Sequence, residues 1–181
     1  IIAQKLSGSN NIYNSSIANR KGFTLLLSSS TDVNYVPIHG HVVSGSSELF
    51  VTGSMKRGQF NHVAMVCDRE NELGQLKLYV NGTLISDSEK LKIGTFNSQN
   101  HDFLIGSGSA FFTNNREHVV ETGATFSGSI DELRFFHEAR TQKQIDLYRF
   151  KSIFQDNKLG LYYKFNEPTG TLGNSESSSI N

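Results

Sequence analysis

Apolar residues in this chain come only in short runs, and clusters of serine, asparagine and glycine separate the runs. Each run is about 4–10 residues long, which is the usual length of a β-strand. Leu76, Leu78 and Val80 alternate with Lys77 and Tyr79, as in a strand with one buried face. The pattern therefore predicts many antiparallel strands, at residues 1–6, 23–29, 35–43, 48–52, 60–68, 75–81, 84–87, 102–106 and 128–137.

Local signals indicate where the strands turn and where one helix begins. Asn81-Gly82 lies between two apolar runs, and both residues tolerate the positive φ of a tight type I′ hairpin. Residues 68–74 are expected to form a longer polar loop, and residues 106–127 a long rim loop. Thr141 followed by Gln144 has the pattern of a capping box, which predicts one short helix.

The composition excludes several classes of protein. Seventeen basic and 17 acidic residues give a net charge of zero, whereas nucleic-acid binders and polybasic membrane-surface modules need a cationic footprint. Cys67 is the one cysteine, which rules out a disulfide framework and a CxxC zinc site. No run approaches the roughly 18 apolar residues of a membrane span. We therefore expect a domain that neither binds nucleic acid nor inserts into a membrane.

Three segments together carry a family resemblance. Residues 60–84 contain FNHVA and, after a polar loop, LKLYVNG, and residues 126–136 read FSGSIDELRFF. The third segment, residues 159–167, reads LGLYYKFNE. Over roughly residues 1–150 the chain resembles the concanavalin A-like jelly rolls of the laminin G and pentraxin type. The resemblance implies an all-β fold, a two-sheet antiparallel β-sandwich with one short C-terminal helix.

The chain departs from the family's pattern at two points. Phe60 stands where the family usually has Trp, and the chain contains no Trp, which argues against a sugar-stacking platform built on that residue. The third segment resembles the strand that opens such a domain, yet here it comes last. We therefore expect a jelly roll over 1–158, lacking its first strands or excised from a longer chain, and a strand with a loose tail over 159–181 that starts a following module. The alternative is a final strand that returns to the sheet.

The expected ligand site is at the rim of the long loop. Aromatic faces stack on sugar rings, and amide and guanidinium groups hydrogen-bond to hydroxyls. The alternative is that the aromatic pair plugs the end of the sandwich. The candidate residues are Phe111, Phe112, Asn114, Asn115 and Arg116.

Asp131 is the candidate metal ligand, because in the family that the chain resembles an Asp at this point often helps to hold a structural calcium. Apart from that calcium no cofactor is expected, and the favoured alternative for Asp131 is a strand-end carboxylate paired with Arg134. Asp32, among short polar residues, is a weaker candidate for which an ordinary Asx turn is favoured. His39 and His41 share one face of a strand and could begin a zinc site, but surface histidines near a bend are favoured.

Catalytic constellations are absent from the sequence. The chain has neither the Gly-x-Ser-x-Gly elbow nor the E-x-D-x-x-E strand of jelly-roll glucanases. We therefore expect a non-catalytic recognition module, extracellular or on a virion surface, that binds a glycan or a protein and adjoins other domains of a larger parent chain. The alternative is a structural domain of an extracellular or virion particle, such as a tail, fibre or capsid appendage.

Overall fold

The computed structural model describes residues 1–7, 20–70, 72–94, 101–108, 111–112, 119–120, 125–153 and 156–166. Within them the elements follow in the order β1 (Ala3–Ser7), β2 (Lys21–Leu27), β3 (Tyr35–Ser44), β4 (Ser47–Lys56), β5 (Val63–Glu70), β6 (Leu73–Val80), β7 (Thr83–Asp87), β8 (Leu91–Lys92), β9 (Leu104–Ile105), β10 (Phe111–Phe112), β11 (Val119–Val120), β12 (Leu133–Phe136), α1 (Gln142–Tyr148) and β13 (Leu159–Tyr163). No helix in these ranges is long and apolar enough to cross a membrane.

The strands form two main antiparallel sheets. Sheet A has the order β4-β3-β2-β1-β9, and sheet B has the order β5-β6-β7, with β8 also paired to β6. Two further pairs, β10-β11 and β12-β13, complete the strands of the described part. The expected all-β class, with antiparallel sheets and one short helix, is confirmed.

The hydrophobic core lies between sheet A and sheet B. Side chains of β3 and β4 pack against those of β6, since alternate residues of each strand point inwards. Phe23 of β2 stacks on Phe135 of β12 with ring centroids 5.8 Å apart, so the β12-β13 pair covers the β2 side of the same core face. The fully enclosed members of the core are Ile38, Val42, Leu49, Val51, Leu76, Leu78, Val80 and Ile93.

The predicted hairpin and helix are both present. Asn81 and Gly82 have φ values of +53° and +83°, and Val80 pairs directly with Thr83 across the turn. Thr141 accepts a hydrogen bond from the backbone N–H of Gln144, whose side chain bonds back to the backbone of Thr141, so the capping box is complete. Ile145 packs on Val66 and Tyr79, so α1 covers the outer face of sheet B.

One predicted loop was too long. Residues 68–74 were expected to be a polar loop, but β5 continues to Glu70 and β6 begins at Leu73, with Glu70 opposite Leu73. Glu72 supplies the tight reversal with a φ of +68°. Asp68, Arg69 and Glu70 therefore belong to β5, and Asp68 binds Lys77 of the neighbouring β6 at 3.0 Å.

The 159–163 segment pairs with β12 inside this chain. Leu133 lies opposite Tyr163, and Phe136 opposite Leu159, with an irregularity between Phe135 and Phe136. This is the arrangement expected if a final strand returns to the sheet. The division of the chain at residue 158 and the assignment of 159–181 to a following module stay predictions.

Candidate functional site

A shallow open hollow lies on the outer face of sheet A, at the end where β3 begins and β4 finishes. Its volume is about 300 Å³. Its lining side chains come from the β2–β3 loop, β3 and β4, and the sequence did not predict that they lie together. Tyr35 exposes about half of its surface (48%) there, which leaves one aromatic side chain available to a ligand. The lining residues are Ser30, Asp32, Tyr35, Pro37 and Ser54.

The β2–β3 loop, residues 28–34, is shaped by Asp32. Its Oδ1 accepts hydrogen bonds from the backbone N–H groups of Asn34 at 2.7 Å and of Tyr35 at 3.1 Å, and its own N–H donates to Ser30 Oγ at 3.0 Å. This is the Asx turn that the sequence favoured over a metal ligand. Because Oδ1 is used by the turn, Oδ2 is the oxygen available to a ligand in the hollow.

Arg57 holds this loop against the end of β4. Its Nε donates to the carbonyl oxygens of Asp32 at 3.2 Å and of Tyr35 at 3.1 Å, and its backbone N–H donates to Asn34 O at 2.8 Å. The guanidinium is therefore solvated by neutral carbonyls, and no carboxylate of the described part lies within ion-pair distance. No sequence pattern indicated a role for Arg57, because these contacts join residues that are 22 and 25 positions apart.

The outer face of sheet A continues from the hollow to two histidines. His39 Nε2 lies 2.9 Å from Ser28 Oγ, and the His39 ring stacks on Phe50 at 5.6 Å. His41 Nε2 lies 3.0 Å from Glu48 Oε2. The expectation of surface histidines near a bend was wrong: β3 continues without a break through Gly40, His41 is fully buried and His39 is half-buried.

Beyond His41 the outer face becomes a buried polar layer. Gln4, Thr24 and His41 lie side by side on β1, β2 and β3, and Gln4 Nε2 donates to Thr24 Oγ1 at 3.2 Å. All three side chains are almost completely inaccessible. Burial also lowers the pKa of nearby Arg20, while the charge of Glu48 acts in the opposite direction. A soluble ligand can therefore reach the hollow end of this face but not the polar layer.

The predicted long-loop site is only partly within the described residues. Phe111 and Phe112 form β10, paired with Val120 and Val119 of β11. Asn114, Asn115 and Arg116 lie outside the described residues. The ligand site at this rim stays a prediction.

Asp131 is exposed and precedes β12. The predicted pairing of Asp131 with Arg134 was wrong. Arg134 Nη2 binds Glu132 Oε2 at 2.6 Å, because Glu132, at a φ of +53°, places its carboxylate beside the guanidinium. Within the described ranges no three His, Cys, Asp or Glu side chains are grouped as a metal site would need. The assignment of calcium to Asp131 stays a prediction.

Cys67 of β5 and His62, just before that strand, are partly buried. Burial raises the pKa of the Cys67 thiol to about 11, with Arg69 opposing and Asp68 adding to the effect, so the reactive thiolate is scarce at neutral pH. His62 donates its backbone N–H to Asn81 Oδ1 at 2.9 Å. Its pKa is lowered first by burial and then by the charges of Arg134 and Arg149.

Comparison with known proteins agrees with this architecture. A family model described as the concanavalin A-like lectin/glucanases superfamily, of the laminin G type, matches residues 3–146, from β1 into α1. No curated protein and no solved structure matches the chain. Strand β13 lies outside the matched range, although it pairs with β12 inside it. The chain belongs to the concanavalin A-like lectin/glucanase superfamily, as a laminin G-like domain.

Proposed function

We propose that this domain is a non-catalytic recognition module that binds a glycan in the hollow of sheet A. One observation carries the proposal: the hollow joins a half-exposed tyrosine ring to a carboxylate and two hydroxyl groups. A pyranose ring stacks its apolar face on Tyr35, while Asp32 Oδ2 accepts hydrogen bonds from sugar hydroxyls. Ser30 and Ser54 add donors and acceptors at the two sides.

The composition of the hollow favours binding over hydrolysis. Glycoside hydrolysis uses two carboxyl groups that flank the scissile bond, whereas Asp32 is the one carboxylate among the described residues that line this hollow. Membership of the superfamily supports a carbohydrate- or protein-binding role. Such a module fits a larger extracellular or virion-surface protein, in which neighbouring domains bring it to its ligand.

A glycan array probed with this chain tests the proposal, followed by titration of any sugar that binds. We expect Tyr35→Ala to weaken binding at least tenfold, about the loss for one aromatic stacking contact in a partly desolvated site. Tyr163→Ala is the matched control, since Tyr163 has the same exposure (47%, against 48% for Tyr35) but lies on β13. Silence across the array, or equal losses in both variants, would contradict the proposal.

Two further experiments distinguish binding in this hollow from binding at the long-loop rim and from a calcium site at Asp131, the two sites that the sequence predicted. If Phe112→Ala and Arg116→Ala abolish binding while Tyr35→Ala does not, the ligand binds at the long-loop rim. Titrations and melting curves with calcium and with chelator test Asp131, because an ion bound only by the folded state stabilises it by mass action. We expect chelator to leave both binding and melting temperature unchanged in the wild type and in Asp131→Ala.

A further inference from the structure

Three side chains protrude from one end of the sandwich. Val33 is 83% exposed, Phe150 81% and Phe60 73%. In the described ranges every other large apolar side chain exposes less than half of its surface. They lie on three separate segments: the β2–β3 loop, the β4–β5 loop (residues 57–62) and the end of α1. Burying one such side chain in an apolar medium is favourable, so three at one end indicate a partner.

Hydrogen bonds and one close packing contact join the three segments into one rim, which we call the Arg57 rim. The Arg57 N–H bonds to Asn34 O and thereby links the first two loops. Asn81 Nδ2 donates to Asn61 Oδ1 at 3.2 Å, which links the β4–β5 loop to the β6–β7 turn. A Cβ atom on Gly82 would lie 2.6 Å from Asp146 Oδ1, so α1 rests directly on that turn. The protruding side chains are therefore held on a connected base.

Cations flank both aromatic tips. Lys56 and Arg57 precede Phe60 in the chain, and neither forms an ion pair within the described residues. The Arg149 guanidinium lies 4.2 Å from the centre of the Phe150 ring but is paired with Asp146 at 2.9 Å. The exposed Lys151, which follows Phe150, forms no ion pair within the described residues. Separate apolar tips between cations do not form a groove for a helix or a strand. Protruding apolar side chains with cations beside them match a surface that is apolar inside and anionic outside. A membrane that contains acidic lipids is such a surface.

We infer that the Arg57 rim docks on anionic lipid surfaces, with Val33, Phe60 and Phe150 entering the headgroup region and Lys56, Arg57 and Lys151 facing lipid phosphates or carboxylates. The inference revises the argument that zero net charge excludes a membrane-surface module; it leaves the expectation of no membrane insertion unchanged. A chain average does not show where unpaired cations lie relative to exposed apolar side chains. The rim shares the β2–β3 loop and Arg57 with the hollow, but Tyr35 is not one of its three protruding side chains, so this inference does not depend on glycan binding.

A single introduced tryptophan tests the inference, because the natural chain has none. Phe60→Trp is mixed with vesicles of phosphatidylcholine containing about one third phosphatidylserine, and with vesicles of phosphatidylcholine alone. We expect a blue shift of the emission on the anionic vesicles and little or none on the neutral ones. Leu73→Trp is the matched control, since Leu73 is exposed at the opposite end of the sandwich. Equal shifts for both tryptophans would overturn the inference.

Vesicle sedimentation then measures the contribution of each tip. Phe60→Ser and Phe150→Ser are each expected to reduce partitioning about tenfold, and raised salt to reduce it further. Leu73→Ser and Leu91→Ser, two exposed leucines at the opposite end, should leave partitioning unchanged. Absence of vesicle binding, or its insensitivity to both phenylalanine variants, would overturn the inference whether or not soluble sugars bind at Tyr35. Binding of the rim to a protein in place of vesicles would overturn it as well.

Discussion

At the scale of single residues, glycine marks the points where backbones approach most closely. Gly22 on β2 has a φ of +140°, and a Cβ atom built there would lie 1.9 Å from the carbonyl oxygen of Lys5. That oxygen belongs to the backbone of β1, directly beside the paired residues Leu6 and Gly22, and cannot swing away. Gly58 also has a positive φ, +71°, but no atom lies within 4 Å of its Cβ position. A side chain at Gly58 would meet only the strain of a positive φ, whereas one at Gly22 would meet that strain and a steric clash as well.

We predict that Gly22→Ala destabilises the fold much more than Gly58→Ala. Positive φ alone costs an alanine about 1–2 kcal/mol, which is the whole expected effect at Gly58. At Gly22 the clash with the Lys5 carbonyl adds to that cost, for a total of about 3 kcal/mol or more. Urea titration of both variants measures the difference in free energy of unfolding. Equal losses would show that the β1–β2 backbones are farther apart than described.

At the scale of secondary-structure elements, Arg134 links three of them. Its Nη1 donates to Tyr148 O at 2.8 Å and its Nη2 to Lys151 O at 2.7 Å, so it binds the carbonyls at the end of α1. The same guanidinium binds Glu132 and lies 5.2 Å from the centre of the Tyr162 ring of β13. Tyr162 donates its hydroxyl hydrogen to Glu132 Oε2. One side chain on β12 therefore fixes both α1 and β13.

Replacing Arg134 should affect stability more than replacing Arg149. We expect Arg134→Leu to cost about 2 kcal/mol, because it removes one of the two partners of the Glu132 carboxylate and leaves two carbonyls without their side-chain donor. Arg149→Leu is the control: its Asp146 partner is 60% exposed, and such a surface pair is worth at most about 1 kcal/mol. Thermal unfolding and urea titration of both variants measure this. A similar loss in the two would mean that β13 and α1 are held by other contacts.

Elements defined by neighbouring residues could be predicted, whereas contacts between distant residues could not. The Asn81-Gly82 turn and the capping box at Thr141 depend on two to four consecutive residues, and both are present. The hollow depends on Arg57 reaching a loop more than 20 residues earlier, and no local pattern encodes that contact. His41 was misjudged for a related reason: its outer strand face is buried here, whereas periodicity alone indicates only which residues share a face.

At the scale of the whole molecule, stability should fall in acid. Burial would raise the pKa of Glu132, but the hydrogen bonds from Tyr162 and Arg134 outweigh that effect, so the pKa is lowered. The pKa of His62 is lowered too, by burial and then by two arginines. Both groups bind protons more readily in the unfolded chain than in the folded one. Their contributions are therefore complete above the ordinary values, 6.5 for His62 and 4.5 for Glu132, and are lost as the pH falls through the lower folded values.

We predict that the free energy of unfolding is smaller at about pH 5 than at about pH 8. His62→Asn removes the imidazole and should reduce that difference, because the variant no longer has this group to protonate on unfolding. Urea titrations of the wild type and of the variant at the two pH values provide the comparison. A variant that keeps the whole pH difference would show that His62 does not cause it.

The buried polar layer on sheet A also has a consequence for how β3 finds its register. Along β3, Ile38 and Val42 face the core, whereas His39 and His41 face away from it, so a one-residue slip exchanges the two sets. With Gln4 and Thr24 beside His41, the same slip would drive an imidazole into hydrocarbon and place Ile38 and Val42 against amide and hydroxyl groups. The layer thus raises the energy of hairpins in which β3 is paired one residue out of register, and so helps to select the native register as the sheet forms.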